Sequence, residues 1–433
     1  MKTILLLITP LILVLSSQMS FSSGNSSSRV GSDSTSVKAE KFDPVLETQK
    51  YIDELSPEKK AKSNSYFEGG YWIMLWDFLL NVVVAWIFLR MGLSKGIKGI
   101  ASKFKPLNLQ NLIYIGLYLL FAFLLTLPLN IYTGFIREHQ YGLSNLTFSG
   151  WLGEELKGLT LIILFVSPLL MLLYIVIRKV SQNWWIWSSG IGFLFLVFGL
   201  FISPVFISPI FNKYKPLEEG ELKNEILSLA RANGIPANNV YQFDASKQSS
   251  RISANVSGIG STIRISLNDN LLSKCTITEI KSVMAHEMGH YVLNHTYKLL
   301  VYIGLILFLG FAFINWSFNL AVKRWGERLA IISIADIGGL PLFMLLFALF
   351  FFLATPIQNN IIRSAELEAD YFGLNAVREP DAFALVDMKL SEYRKISPGP
   401  IEEILFYDHP SGRTRIYNAM VWKAENLKDK EQK

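Results

Sequence analysis

Three of the five histidines in this chain of 433 residues lie within ten positions, in the segment VMAHEMGHYVLNH (283–295). His286 and His290 are four residues apart, so both imidazoles face the same side of an α-helix. Zinc accepts neutral imidazole nitrogens, and a catalytic zinc site keeps one position open for water. Glu287 follows the first histidine, where its carboxylate can accept a proton from that water. The spacing predicts a zinc-dependent hydrolase.

A zinc site needs a third protein ligand, and the segment IIRSAELEADYFG (361–373) offers the best candidate. Glu366 and Asp370 are again four residues apart on a predicted helix. We expect Glu366 to bind the metal and Asp370 to hydrogen-bond a ligand histidine and fix its ring. His295 is the alternative third ligand, but its spacing of five residues from the second histidine takes it off the shared helix face. Glu368 is expected to be a surface charge.

The chain around these motifs is strongly apolar, with 51% hydrophobic residues. A bilayer core is crossed by about 20 apolar residues in a helix, and the sequence has six runs of this kind. They occupy residues 70–89, 111–132, 158–177, 185–206, 299–316 and 337–355. The expected fold is mainly α, an integral multi-pass membrane protein of a bacterial cytoplasmic membrane or of the endoplasmic reticulum.

The apolar runs divide the chain into segments. In order, we expect a signal peptide or signal anchor (1–22), a polar N-terminal segment (23–69), four transmembrane helices (70–210), a catalytic segment with edge strands and the HExxH helix (211–298), two transmembrane helices (299–356) and a C-terminal catalytic segment with the third zinc ligand (357–433). Alternating patterns at 239–245 and 261–269 predict short strands. The HExxH helix is expected to run directly into the fifth span.

The net charge of +6 does not indicate a nucleic-acid partner. Lys and Arg gather mainly at the ends of the apolar runs, as in RMGLSKGIKGIASKFK (90–105), and no basic patch is interleaved with aromatic residues. Charge at span ends is typical of membrane orientation. The expected partners are the lipid bilayer and a polypeptide substrate, with no nucleic acid.

The two motifs together resemble the type I CAAX prenyl protease family of integral-membrane zinc metalloproteases. HExxH is followed by R-x-x-E-x-x-A-D, which here reads Arg363, Glu366, Ala369 and Asp370. The resemblance extends in order over most of residues 110 to 420. It includes REHQYGLSNLTF (137–148), FNKYKPLEEGELK (211–223), SKQSSRISANVSGIG (246–260), IRISLNDNLL (263–272), NHTYK (294–298) and YDHPSGRTR (407–415).

This resemblance implies membrane helices around a hydrated chamber, with a small β-sheet near one zinc ion at one end. It implies peptide-bond hydrolysis by zinc-activated water, best known from release of the last three residues of prenylated CAAX proteins. It assigns zinc to His286, His290 and Glu366, and the general base to Glu287. His409 and Arg415 would polarise the scissile carbonyl or receive a substrate carboxylate.

The resemblance also implies an edge strand to which substrate adds by backbone pairing. This strand would bind substrate through Ser253, Ala254, Asn255 and Gly258. The family usually has Asn immediately before the Ala, whereas here Ser precedes it and Asn follows, and the family's SKRS reads SKQS (246–249). Both departures concern substrate binding and leave open whether prenylation is required.

Two other functions stay open at this stage. A quality-control protease for membrane or exported proteins would use the same chemistry, and a chamber-type binding protein would use none. Glu287 argues for catalysis, because a binding protein has no need of the base. The side of the membrane is open too: a cleaved leader places the zinc site outside, whereas an uncleaved leader adds a seventh span and places it in the cytosol.

Overall fold

The computed structural model describes residues 42–258 and 263–427, so the predicted leader 1–22 lies outside the described residues. The α-helices of six or more residues are numbered α1 to α14. In chain order they are α1 (Pro44–Asp53), α2 (Pro57–Arg90), α3 (Leu93–Ala101), α4 (Leu107–Ile131), α5 (Phe148–Lys179), α6 (Trp184–Ile202), α7 (Glu221–Ala232), α8 (Asp269–Lys274), α9 (Ile277–Val292), α10 (His295–Leu329), α11 (Leu340–Val377), α12 (Pro380–Leu390), α13 (Pro400–Phe406) and α14 (Gly412–Asn426).

Six of these helices are long and apolar enough to cross a membrane: α2, α4, α5, α6, α10 and α11. π-Helical turns extend α4 to Gln140 and α6 to Phe211. The helix α2 begins at Pro57, where the Ser56 hydroxyl accepts a hydrogen bond from the amide of Lys59 and caps the first turn. The predicted class, a mainly α-helical multi-pass membrane protein, is confirmed.

A four-stranded sheet lies between α6 and α9 in the sequence. Its strands are β1 (Tyr214–Pro216), β2 (Val240–Phe243), β3 (Ala254–Ser257) and β4 (Arg264–Asn268). Their order is β1-β2-β4-β3, with β2 and β4 parallel and the other pairs antiparallel. Val240, Ile265 and Leu267 face a core shared with Met284 of α9, and this apolar contact fixes the sheet beside the HExxH helix.

The terminal segments form a separate small core. Ile52 of α1 packs with Phe383 of α12 and with Ile416 and Met420 of α14. Tyr51 also donates a hydrogen bond of 2.8 Å to Asp381. The start of the described chain thus covers the C-terminal helices α12 and α14.

The helix that carries HExxH does not run into the fifth span, so that prediction is wrong. The helix α9 ends at Val292 and α10 starts at His295, with Asn294 in the left-handed region at φ 58°. Asn adopts this conformation more readily than most residues with a Cβ. The break turns the chain and brings His295 back towards the preceding helix.

Close packing between α9 and α11 depends on two glycines. A Cβ on Gly289 would lie 3.2 Å from the Cα of Ala369, and a Cβ on Gly373 would lie 3.1 Å from the backbone nitrogen of His286. Both separations are shorter than ordinary carbon contacts. The glycines therefore let the two helices approach until the side chains of both motifs meet.

Candidate metal centre

The helix α9 places the two histidines of HExxH on one face. A capping box at Thr276 and Glu279 fixes its first turn, because each side chain bonds the other's backbone amide. One turn of helix separates His286 from His290, and their Nε2 atoms lie 3.1 Å apart. Both nitrogens therefore point at one place.

The helix α11 brings a carboxylate to the same place. Glu366 is fully buried, with Oε2 3.2 Å from Nε2 of His286 and Oε1 3.7 Å from Nε2 of His290. One ligand atom from each of these three residues lies within 4.8 Å of the others. Neither Glu366 oxygen has a hydrogen-bond partner among the described residues. A buried carboxylate without donors is costly unless a cation lies against it.

The hydrogen bonds around this cluster fit a divalent metal ion. The Nδ1 atom of His286 lies 2.8 Å from Oδ1 of Asp370. A carboxylate only accepts, so the imidazole carries its proton on Nδ1 and leaves a lone pair on Nε2. That lone pair faces Nε2 of His290 and the oxygens of Glu366. Two imidazole nitrogens and one carboxylate are a typical donor set for catalytic zinc, and they leave a fourth position open.

Asp370 is itself held by a buried ion-pair network. Arg415 donates from Nε to Oδ2 of Asp370 at 2.8 Å and from a terminal nitrogen to Oδ1 at 2.5 Å. Its other terminal nitrogen donates to Asp387 of α12 at 2.7 Å. Burial raises the pKa of Asp387 to about 6, although the Arg415 guanidinium acts in the opposite direction. The network joins α11, α12 and α14 behind the first histidine.

Glu287 lies on α9 beside the cluster and is partly buried. Burial, helped by the neighbouring Glu366 carboxylate, raises the pKa of its carboxyl to about 8. A divalent cation at the three-residue site would favour the ionised form of Glu287. The residue is therefore placed where it can accept and return a proton near neutral pH.

The segment YDHPSGRTR (407–415) contributes His409 to the same site, but not Arg415. Nε2 of His409 lies 3.4 Å from Oε2 of Glu366, and its Nδ1 lies 2.8 Å from the carboxylate of Asp408. Arg415 does not reach the open side of the cluster. Arg415 is 7% exposed, and its guanidinium is bound to Asp370 and Asp387.

The predicted substrate strand lies against the HExxH helix. Among the four described strands, β3 pairs with β4 alone, so one edge of β3 faces no other strand. Ala254 and Asn255 lie within it, and Gly258 follows with φ 93°. Ser253 precedes it and is anchored, because its amide donates to the Asn268 side chain at 3.1 Å.

Sequence reasoning missed two groups of residues at the site. His295 and Glu368 form a hydrogen-bonded chain behind His290; Glu368 is a surface charge as predicted, with its side chain 42% exposed, but its bond to His295 was not predicted. Asp387 pairs with Arg415 from a separate helix. Four of the five histidines belong to this region, which is a signal for His295; nothing in the local sequence of Asp387 points to the site.

Comparisons with known proteins found two family models that match this chain. The family model of peptidase family M48 matches residues 216–423, and the model of the CAAX prenyl protease N-terminal region, described as five membrane helices, matches residues 44–213. The chain is similar to the uncharacterized metalloprotease YhfN of Bacillus subtilis, with 30% identity over 84% of this chain and 86% of the relative.

Two further relatives extend the comparison to yeasts. CAAX prenyl protease 1 of Saccharomyces cerevisiae is 30% identical over 87% of this chain and 88% of its own length. The crystal structure of S. mikatae Ste24p superposes with a TM-score of 0.71 at 26% identity, over 87% of this chain and 94% of that one. The chain is an integral-membrane metalloendopeptidase that belongs to peptidase family M48.

Proposed function

We propose that this protein is a zinc endopeptidase for the C-terminal tails of prenylated CAAX polypeptides. His286, His290 and Glu366 would hold one zinc ion. The observation that carries this assignment is the convergence of two Nε2 atoms on a buried carboxylate that has no hydrogen-bond donor among the described residues.

The proposed chemistry divides between the metal and the chain. The metal held by His286, His290 and Glu366 would supply a lower pKa to a water molecule and would polarise a carbonyl oxygen. Glu287 accepts the proton of the attacking water and passes it to the leaving amine as the peptide bond breaks. Asp370 keeps the ring of His286 oriented. The Nδ1 proton of His409 goes to Asp408, so His409 donates to the substrate carbonyl from Nε2 only when both of its ring nitrogens are protonated.

Arg415 takes a different role from the one expected of it. Both carboxylates of its network would lose their partner if the guanidinium turned to substrate. Burying an unpaired charge costs several kcal/mol. We therefore assign Arg415 to positioning Asp370, and leave contact with the scissile carbonyl to His409.

The substrate would bind as an added strand on the free edge of β3. Backbone pairing with Ala254 to Gly258 orients an extended chain along the HExxH helix and requires no particular side-chain sequence. The names of the yeast relative and of several others support prenylated CAAX tails as the substrate class. A hydrated chamber inside the helix bundle would admit such tails and exclude folded proteins.

The test uses the purified full-length protein with its metal counted. A farnesylated CAAX peptide and its unprenylated twin are incubated with the parent, with Glu287→Gln and with Glu218→Gln, an exposed glutamate as control. We expect cleavage of the farnesylated peptide by the parent and the control, and loss of at least about 1,000-fold with Glu287→Gln.

Each other outcome has a definite meaning. Equal cleavage of both peptides, lost in Glu287→Gln, replaces the CAAX substrate with a broader range of unfolded or exported polypeptides. Cleavage that survives Glu287→Gln removes this glutamate as the base. Absence of bound metal in the active protein overturns the zinc assignment.

A further inference from the structure

A second hydrogen-bonded chain lies behind His290. Its Nδ1 atom is 3.0 Å from Nδ1 of His295, and Nε2 of His295 is 2.9 Å from Oε2 of Glu368. Lys298 donates to the same carboxylate oxygen at 2.9 Å. His295 is 1% exposed, whereas the side chain of Glu368 is 42% exposed. The chain therefore runs from the buried cluster to the protein surface.

The position of each proton follows from the end of this chain. The Glu368 carboxylate only accepts, so Nε2 of His295 must donate to it. A neutral His295 then has a lone pair on Nδ1, which can accept from His290 but cannot donate to it. His290 must carry its own proton on Nδ1, and its Nε2 lone pair is left towards Glu366.

We infer that His295 and Glu368 are positioning residues that hold His290 ready to bind the metal. They fix the proton of His290 on Nδ1 and the plane of its ring, as Asp370 does for His286. This inference rests on the proposed metal centre and adds two residues outside its ligand set and its motifs.

The break between α9 and α10 allows His295 to reach the ring of His290. On a continuous helix, a residue five positions after His290 would lie about 140° around the axis and could not reach its ring. The left-handed backbone of Asn294 ends the first helix and redirects His295. The imidazole centroids of His290 and His295 consequently lie 5.1 Å apart.

The helix α11 thereby serves both histidine ligands from one short stretch. Glu366 faces the metal site, Asp370 supports His286, and Glu368 supports His290 through His295. A contact made only to attach α10 to α11 would not need two imidazole nitrogens in line with the ligand. The alignment points to a role in the metal centre.

The test measures zinc affinity of the full-length protein by competition with a chromogenic chelator. We expect His295→Phe, which keeps the ring volume without nitrogens, to raise the zinc Kd about 10- to 100-fold. Glu368→Ala should raise it about 10-fold, and Glu368→Gln, which keeps an acceptor oxygen, should recover most of that loss. Lys323→Ala, which changes an exposed lysine on the helix of His295, is the control and should stay within about twofold, since it leaves the His295–Glu368 bond intact.

A spectrum and a melting curve separate positioning from packing. We expect the ligand-field absorption of the cobalt-substituted protein to change in His295→Phe and Glu368→Ala, whereas a packing defect would lower only the unfolding temperature of the metal-free protein. Should His295→Phe fail to fold, Glu368→Ala decides, because that side chain is partly exposed. Folded Glu368→Ala with an unchanged zinc Kd and cobalt spectrum would overturn the inference. A parent that binds no zinc would instead refute the proposed metal centre.

Discussion

The two histidines of HExxH are supported by networks that differ in burial. Behind His286, Asp370 is 1% exposed, Arg415 7% and Asp387 3%, so three charges lie inside the protein. Their mutual ion pairs are 2.5 to 2.8 Å long. This network belongs to the folded core of the catalytic segments.

Behind His290 the network opens to solvent. The side chain of Glu368 is 42% exposed and that of Lys298 is 51% exposed. Breaking a buried ion pair leaves an uncompensated charge and costs about 3–5 kcal/mol, whereas an exposed pair contributes about 0.2–1 kcal/mol. The first network should therefore govern both folding and the metal, and the second should act mainly on the metal.

The largest effect should come from Arg415→Met. The substitution leaves Asp370 and Asp387 buried without their cation, and we expect a loss of about 3–5 kcal/mol in the free energy of unfolding. Thermal unfolding in detergent measures it. Arg413→Met, an exposed change on the same helix, is the control. Equal stability of the two variants would show that the buried network does not support the fold.

A smaller effect is expected from Asp370→Asn. The amide keeps the shape but is a poorer acceptor for the Nδ1 proton of His286, so zinc affinity should fall about 10- to 100-fold. That range corresponds to about 1.4–2.7 kcal/mol. Chelator competition measures it, and an unaltered zinc Kd would show that the buried network does not act on the metal.

Gly373→Ala tests the helix contact that both networks share. Its new Cβ would lie 3.1 Å from the backbone nitrogen of His286, so α9 and α11 must separate slightly. We expect a loss of about 1–2 kcal/mol in unfolding free energy, together with weaker zinc binding. Gly158→Ala, where a Cβ meets nothing within 4 Å, is the control and should be neutral or stabilising.

The smallest effect is predicted for Lys298→Ala. Its ion pair with Glu368 is exposed on both sides, so the free energy of unfolding should fall by about 0.2–1 kcal/mol at most. Urea or thermal unfolding at low and high salt checks this, because screening should remove the difference. A loss as large as that of Arg415→Met would contradict the distinction between the networks.

Much of the fold could be predicted because its signals are local. Runs of about 20 apolar residues mark membrane helices independently of their neighbours. Residues four apart on a helix share a face, so HExxH and the pair Glu366 and Asp370 were recognisable before any contact was known. The alternating segments at 239–245 and 261–269 contain β2 and β4.

A helix break and contacts between separate helices could not be predicted. A continuous helix from α9 into the fifth span was predicted because both segments suit a helix. Only the left-handed turn at Asn294 separates them. Glu368 is a surface charge as predicted, with its side chain 42% exposed, but its contact with His295 was not predicted. His295 reaches Glu368 from a different helix, which helical spacing within α11 does not reveal.

Sequence by itself determined the membrane class and predicted the metal ligands and the base, because each rests on residue chemistry and short-range periodicity. Tertiary structure decided which groups support those ligands. Arg415 binds Asp370 and Asp387, and His295 binds Glu368, in pairs that lie 28 to 73 positions apart in the sequence. His295 also reaches His290 across the break between α9 and α10. Such pairs form only when the packing of α9 against α11 and α12 fixes their distances, and no local pattern encodes that packing.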